Sequence, residues 1–322
     1  MDKKMKAISI DKITPAENIE ISELPIPNVK SGWVLVKVKA FGMNHSEQIL
    51  RLNEINADYI QKPVIPGIEC VGVIEDASDT TLTKGDKVIA MMGGMGRSFN
   101  GSYAEYALLP AHHVFKIESE LNWEELAAIP ETYFTAWGSL FECLNLKAED
   151  TLLIRGATCA LGYAAIQIAM ALGARVIATT HREDKFVLIK EADEVFLDDG
   201  KLTGRIKGVT KALDLVGPKY LKDTMTAVNK GGIVCQTGIL GGVYALDGFD
   251  PIKDIPNGVY LTGFFSNYPT QEVVDDMFKF FYNKKIVPIY GKVFEFDNIK
   301  DAITAQDKGA VNGKIVVRIG RG

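Results

Sequence analysis

The stretch "IRGATCALGYAAIQIAMALGARVIATT", residues 154–180, decides the fold. An apolar strand runs into a turn of small residues, the turn opens a helix, and a second strand rich in β-branched residues follows. Such a unit puts the backbone N–H groups and positive dipole of a helix start where a phosphate can sit. Gly156, Ala157, Thr158, Cys159, Ala160, Leu161 and Gly162 make up the turn. A dinucleotide fingerprint wants small residues at 157, 159 and 162, for the tight turn, the approach of pyrophosphate and close helix packing; only the last is glycine here. Cys159 is small enough to leave the turn in an ordinary conformation, and Thr158 adds a hydroxyl. Plain α/β packing also produces turns of small residues, so the nucleotide reading rests on the surrounding unit, including the small face of the helix at Ala164, Ala165 and Ala169.

The end of the second strand chooses the nucleotide. An NAD site commonly carries Asp or Glu there, for the ribose 2′-hydroxyl. This chain has Thr180, followed by His181, Arg182 and Lys185. A carboxylate would repel a 2′-phosphate, whereas a hydroxyl backed by Arg and Lys would hold one. The expected cofactor is NADPH, with a solvated basic helix start as the alternative explanation of these charges.

Outward from this unit, strands and helices alternate from about 150 to 285: "TLLIR", "RVIATT", "EVFL", "KALDLVG", "GIVCQTG" and "VYLTGFF" between helical segments, ending in "QEVVDDMFKFFYNKK". That alternation predicts a doubly wound parallel sheet. From residue 5 to about 120, short alternating runs such as "WVLVKVKAFGMN" and "SYAEYALLP" are separated by Pro and Gly and predict an all-β barrel or sandwich. Helical periodicity begins at "NWEELAAIPETYFTAW", where Asn122 can cap and Glu124 and Glu125 suit the helix start. The expected domains are 1–121, completed by 290–322, and 122–289.

Composition narrows the function classes. Of 322 residues, 47% are apolar and 24% charged, as in soluble globular proteins, and the formal charge of -5 offers no general attraction to nucleic acid or anionic lipid. No basic and aromatic stripe for single-stranded nucleic acid is evident. Cys70, Cys143, Cys159 and Cys235 are scattered, with no CxxC pair, and fit reduced thiols. The N-terminus lacks an apolar run long enough for a signal peptide or membrane span, so a cytoplasmic location is expected.

The segments "GMNHSEQILR" (42–51), "PVIPGIECVGVI" (63–74), "KGDKVIAM" (84–91), "GSYAEYALLP" (101–110), "AAIPETYFTAW" (127–137), the 154–180 stretch, "LDLVG" (213–217) and "GKIVV" (313–317) occur in an order that resembles the medium-chain dehydrogenase/reductase superfamily. The chain looks most like its zinc-independent quinone oxidoreductase branch. This resemblance implies a GroES-like β-barrel catalytic domain, a Rossmann NADP-binding domain and a homodimer. It implies roles for Asn44 and Arg51 at the nicotinamide and acceptor, for Thr135 near the nicotinamide ribose, and for Phe264 and Phe265 beside the ring. Thr237 and Gly238 at a strand end, and Asn312 before the terminal "GKIVV", complete the implied cofactor contacts.

Zinc-dependent relatives would place a Cys where Asn44 stands, a His where Ile68 stands, and a third ligand at Glu131. Asn and Ile do not supply a catalytic zinc with its ligands, and the four-cysteine lobe of a structural zinc is missing between Val88 and Tyr103. Without a metal, acceptors whose own conjugation takes up charge are expected: quinones and α,β-unsaturated carbonyls. The branch often has a tyrosine where this chain has Ile49; Tyr59 or Tyr133 could replace it. Two other readings stay open, an alcohol dehydrogenase-type oxidoreductase and a non-enzymatic NADPH-binding protein.

Overall fold

The computed structural model describes residues 3–320. Contacts divide the chain into one unit made of residues up to Glu131 and from Asn267 onward, and another made of Thr132–Ser266.

In the first unit, Lys4–Ile8 (β1) and Ile21–Pro25 (β2) form an antiparallel pair. The long strand Trp33–Met43 (β3) follows, and its alternating pattern buries Val34, Val36 and Val38 on one face. It pairs antiparallel with Glu69–Asp76 (β4) and Tyr106–Pro110 (β6). Lys87–Met91 (β5) pairs with β4, and Val114–Lys116 (β7) with β5. Helix α1 (His45–Leu52) follows β3 directly. The core on this sheet includes Phe41 stacked on Tyr103, ring centroids 4.6 Å apart.

Helix α2 (Trp123–Ala127) begins as expected: the Asn122 side chain accepts from Glu125 N (2.8 Å) and the Glu125 carboxylate accepts from Asn122 N (2.9 Å). Helix α3 (Pro130–Trp137) starts in the first unit and continues into the second, where a turn of π-helix, Gly138–Cys143, follows.

The second unit is a six-stranded parallel sheet. In chain order its strands are Thr151–Arg155 (β8), Arg175–Thr180 (β9), Glu194–Leu197 (β10), Lys211–Asp214 (β11), Ile233–Gln236 (β12) and Tyr260–Gly263 (β13). They lie in the order β10-β9-β8-β11-β12-β13. The chain reverses direction of winding between β8 and β11, and a crevice at such a switch point is where open α/β sheets bind ligands. Helices α4 (Ala160–Leu172) and α5 (Leu221–Ala227) connect strands, and α6 is a short turn, Pro251–Asp254. The segment expected to be helical after β9 is a 3-10 turn, Glu183–Ile189.

Arg155, at the end of β8, is fully buried. Its guanidinium donates to both oxygens of Asp198 (2.8 and 2.9 Å), to Asp223 (2.9 Å), to Thr224 Oγ1 (3.0 Å) and to the Tyr220 carbonyl (3.0 Å). It ties the end of β8 to the loop after β10 and to α5, and nothing in the sequence pattern marks it.

The chain then returns to the first unit, earlier than expected. Helix α7 (Gln271–Lys284) falls in that unit because Gln271 makes two hydrogen bonds to the Lys116 backbone, so residues 267–289 leave the doubly wound body. Residues 122–131 also join the first unit, α2 packing on β3 and β4. Lys292–Glu295 (β14), α8 (Ile299–Asp307) and Ile315–Arg318 (β15) close it, β15 pairing antiparallel with β3.

Replacing Arg155 by Leu leaves two acidic groups in or near the interior without their counter-charge. Breaking a buried pair this way costs about 3–5 kcal/mol. Urea unfolding followed by circular dichroism is expected to show a loss of that size; a change under about 1 kcal/mol would show that the network is not structural.

Candidate active site

The turn between β8 and α4 keeps the geometry of a phosphate loop, with its glycines redistributed. Gly156 takes φ +81°, which side chains disfavour, and a Cβ there would come within 3.0 Å of Val216 Cγ2. Gly162 is needed for closeness: a Cβ would lie 2.2 Å from the Ala157 carbonyl oxygen. Cys159 sits at φ −130°, ψ 170°, extended backbone open to any residue. It is the N-cap of α4, its sulfur accepting from Gly162 N at 3.4 Å. Ala157 is buried, its N–H held by the Thr179 carbonyl (2.8 Å). Among the described residues, the N–H groups of Thr158, Cys159 and Ala160 meet no acceptor, as the first N–H groups of a helix lack intrahelical partners. Leu161 lies half-buried beside them in the first turn.

At the end of β9, Thr180 is buried with its hydroxyl 3.1 Å from that of Thr158, so strand end and loop are pinned together. His181 and Arg182 are exposed and Lys185 half-buried. The Arg182 guanidinium is engaged by Asp184 through two hydrogen bonds, 3.0 and 2.6 Å. A carboxylate therefore does stand in this corner, two residues beyond the arginine rather than at the strand end.

Further along the same unit, Thr237 follows β12, and its hydroxyl lies 2.9 Å from Ser139 Oγ and 3.3 Å from Cys235 Sγ. The Thr237 and Gly238 N–H groups both reach the Asp214 carbonyl. Phe264 meets Phe134 edge to face, centroids 5.6 Å apart, and Gly138 is glycine because a Cβ would lie 2.0 Å from the Phe264 ring. Phe265 is 70% exposed, while Thr135 is buried on α3.

In the first unit, Asn44 is the centre of a buried charged cluster. Its amide oxygen accepts from Lys314 Nζ (2.5 Å) and its amide nitrogen donates to Glu69 Oε1 (2.9 Å). Lys314 also pairs with Glu69 at 2.5 Å, both being at most 2% exposed. An ammonium only donates and a carboxylate only accepts, so the amide orientation is fixed by its neighbours. Gly42 makes the cluster possible: a Cβ there would fall 2.3 Å from Lys314 Cε and 2.5 Å from Glu69 Oε1. Glu69 Oε2 accepts from Glu131 N (2.6 Å). Glu47 accepts from Asn44 N (2.8 Å) and Ile68 N (3.1 Å) at the start of α1. Burial, reinforced by the Glu69 charge, pushes the Glu47 carboxyl up to about 7, against the pull of Lys314.

Arg51 is placed otherwise than the resemblance implies. Its guanidinium is 4% exposed and committed to both oxygens of Asp307 (2.5 and 2.6 Å) and to the Thr14 carbonyl (2.7 Å). It ties α1 to α8 and has a structural role. Asn312 is exposed, and Lys314 two residues on is the residue of the closing segment that reaches Asn44. Sequence reasoning missed Lys314 and Glu47; a lysine opening the apolar strand "KIVV" was the available signal.

As a metal site the donor set is wrong. Ile68 offers no donor atom, the Asn44 amide oxygen is taken by an ammonium, and Glu69 is neutralised by the same ammonium. No cluster of three or more His, Cys, Asp or Glu side chains suited to a metal occurs among the described residues.

Residues 30–119 match the alcohol dehydrogenase GroES-like domain and residues 160–283 the zinc-binding dehydrogenase family. The human quinone oxidoreductase is 32% identical over 256 residues, 75% of each chain. The chain belongs to the medium-chain dehydrogenase/reductase superfamily. Within it the chain is quinone oxidoreductase-like, an oxidoreductase with a GroES-like unit and a Rossmann unit. The fold is shared with the quinone oxidoreductase from Coxiella burnetii (TM-score 0.83, 21% identity, 99% of this chain and 100% of that). It is shared equally with a mycobacterial protein complexed with NADPH (TM-score 0.83, 23% identity, 98% and 99%). No helix among the described residues is long and apolar enough to cross a membrane.

Glu47 gives this unit a signature in pH. The folded carboxyl holds its proton to about 7, against 4.5 ordinarily, so folding takes up a proton between those values. Stability is then greatest below pH 4.5 for this group and falls as pH rises through 7, by an amount on the order of 3 kcal/mol. Urea titrations from pH 4.5 to 7.5 are expected to show this fall in the wild type relative to Glu47→Gln. Parallel curves for the two proteins would mean that Glu47 is ionised throughout.

Proposed function

We propose that this oxidoreductase binds NADPH and reduces a quinone or an α,β-unsaturated carbonyl compound, without a catalytic metal. The observation that carries the reading is the β8–α4 turn at the switch point of the sheet, with three adjacent N–H groups lacking acceptors. The similarity to the human quinone oxidoreductase supports the acceptor class. When bound, the nicotinamide supplies the hydride.

The chain's own residues do the rest. Thr158, Cys159 and Ala160 bind pyrophosphate through their N–H groups, and Ala157 and Leu161 shape the turn around it. Thr180, His181, Arg182 and Lys185 take the 2′-phosphate, Arg182 exchanging Asp184 for it. Thr135, Thr237, Gly238, Phe264, Phe265 and Asn312 complete the cofactor contacts. Asn44 keeps one amide proton on Glu69; its other contact, 3.5 Å to Glu47 Oε1, is too long to hold the second proton. That proton is offered to the oxygen on which charge develops as the acceptor is reduced. Lys314 and Glu69 prevent the amide from turning its oxygen to that place.

A second reading has one observation in its favour. With Arg51 sealed in an ion pair and Ile49 in place of a tyrosine, the polar groups left for an acceptor are few, which suits an NADPH-binding protein without turnover. Parallel fluorescence titrations with NADPH and NADH, followed by an acceptor screen, separate the readings: tight NADPH binding with quinone or enone turnover supports the reductase, binding without turnover the second reading, and no binding neither.

The Arg182–Asp184 pair allows a sharper test of the cofactor. Arg182→Ala is expected to weaken NADPH binding about tenfold, as for loss of one exposed charge-assisted contact, and to leave NADH nearly unchanged. Asp184→Asn frees the arginine and removes a repelling charge, so NADPH binding tightens roughly threefold. If both variants move NADPH and NADH together, the corner does not read the 2′-phosphate.

For Asn44→Ala, kcat is expected to fall about a hundredfold, the usual effect of removing one oxyanion donor, with NADPH affinity changed less than threefold. A stopped-flow assay alongside the cofactor titration checks it; unchanged kcat removes Asn44 from the reaction.

A further inference from the structure

Two of the four cysteines share one small polar cluster in the second unit. Cys235, on β12, is fully buried, and its sulfur lies 3.3 Å from Thr237 Oγ1, which in turn lies 2.9 Å from Ser139 Oγ. Ser139 and Cys143 are four residues apart on the same π-helical turn, so they present one face. The Cys143 sulfur, half-buried, donates to the Gly263 carbonyl at 3.5 Å, on the strand whose residues 262 and 263 pair with Cys235 and Gln236. Thr237 Oγ1 thus bridges that face to the Cys235 sulfur. Cys70 is buried among apolar side chains, and Cys159 caps α4.

We propose that Cys143 and Cys235 form a modification site, a dithiol that a peroxide converts to a disulfide. The chemistry divides by access, because the thiolate is the nucleophile and must reach the oxidant. Cys143 is the partly exposed member and attacks first: its sulfur bonds to one peroxide oxygen, the O–O bond breaks, and the other oxygen leaves as water with the thiol proton. Cys143 is then a sulfenic acid. The Cys235 sulfur attacks the Cys143 sulfur, the S–S bond forms, the S–O bond breaks, and the hydroxide leaves as water with the Cys235 proton. Two thiols lose two electrons, the peroxide gains them, and two waters result. Burial pushes the Cys235 thiol up to about 12, so Cys235 is not the sulfur that the peroxide oxidises first, and its attack on the oxidised Cys143 sulfur is the slow step. Thr237 links this pair to the strand end assigned to the cofactor, but the proposal does not depend on that assignment.

The full chain, reduced and then treated with stoichiometric hydrogen peroxide, tests this by intact and peptide mass spectrometry without reductant. The expected product has lost two hydrogens, carries a Cys143–Cys235 crosslinked peptide, and shows two titratable thiols under denaturing conditions in place of four. Dithiothreitol restores all four. In Cys143→Ser, Cys235 stays a thiol; in Cys235→Ser, Cys143 stops at a sulfenic acid that dimedone traps. Oxidation of Cys143 to sulfinic acid beside an unchanged Cys235, a crosslink to Cys70 or Cys159, or no oxidation of Cys143 would each overturn the proposal. The wild-type spectrum decides alone, so it stands even if a serine variant fails to fold.

Discussion

The ammonium of Lys314, out of reach of water, is the constraint around which the first unit is arranged. A buried lysine is tolerated only with a counter-charge at hydrogen-bond distance, and Glu69 supplies it at 2.5 Å. The pair joins β15, from the far end of the sequence, to β4. It also dictates the residue on the strand between them: β3 carries Gly42 because any side chain would occupy the volume of the lysine stem. Asn44 accepts from Lys314 and donates to Glu69, and the Glu131 N–H donates to the other oxygen of Glu69. A site organised by fixed charges needs no reorganisation when charge develops beside it, which is the condition for electrostatic catalysis.

The same arrangement bears on the metal-free reading proposed for this chain. Carboxylates packed as closely as Glu47 and Glu69 require a positive charge or a proton. Here Lys314 provides the charge, and Glu47, buried beside them, takes the proton near neutrality. A divalent cation would have to displace the ammonium and then find ligands in an amide and an isoleucine. The electrostatic need of the two carboxylates is met without it.

The sequence disclosed the elements that follow local rules. Alternating and continuous apolar runs located the strands of both units, and Asn122 with Glu125 located the start of α2. It did not disclose interactions that depend on distant residues meeting. Gln271 reads as the first residue of one more Rossmann helix, whereas its bonds to Lys116, 155 positions away, tie α7 to the first unit. Arg51 sits in a family motif, yet Asp307, 256 residues away, claims its guanidinium. Arg155 hides in an apolar strand because its three acidic neighbours come from other segments. The turn between β8 and α4 was partly legible: strand, turn and helix were plain, but which glycine mattered was not. Position 159 needs no glycine, since its backbone is extended, while Gly156 does, since its φ is positive.

Charge order at the end of β9 shows why a motif and an affinity are different things. "HREDK" contains the cations a 2′-phosphate would seek, but Glu183 and Asp184 cancel them within the same five residues. Asp184 holds Arg182 through two hydrogen bonds, so on the proposed reading it competes with a 2′-phosphate for the guanidinium. On that reading, preference for NADPH over NADH at this corner equals the difference between two arginine contacts, one with phosphate and one with carboxylate. Because both are exposed, the difference shrinks further as salt screens it. On that reading the selectivity set here is graded rather than absolute, and Thr180, buried and neutral, offers a hydroxyl where a third carboxylate would repel.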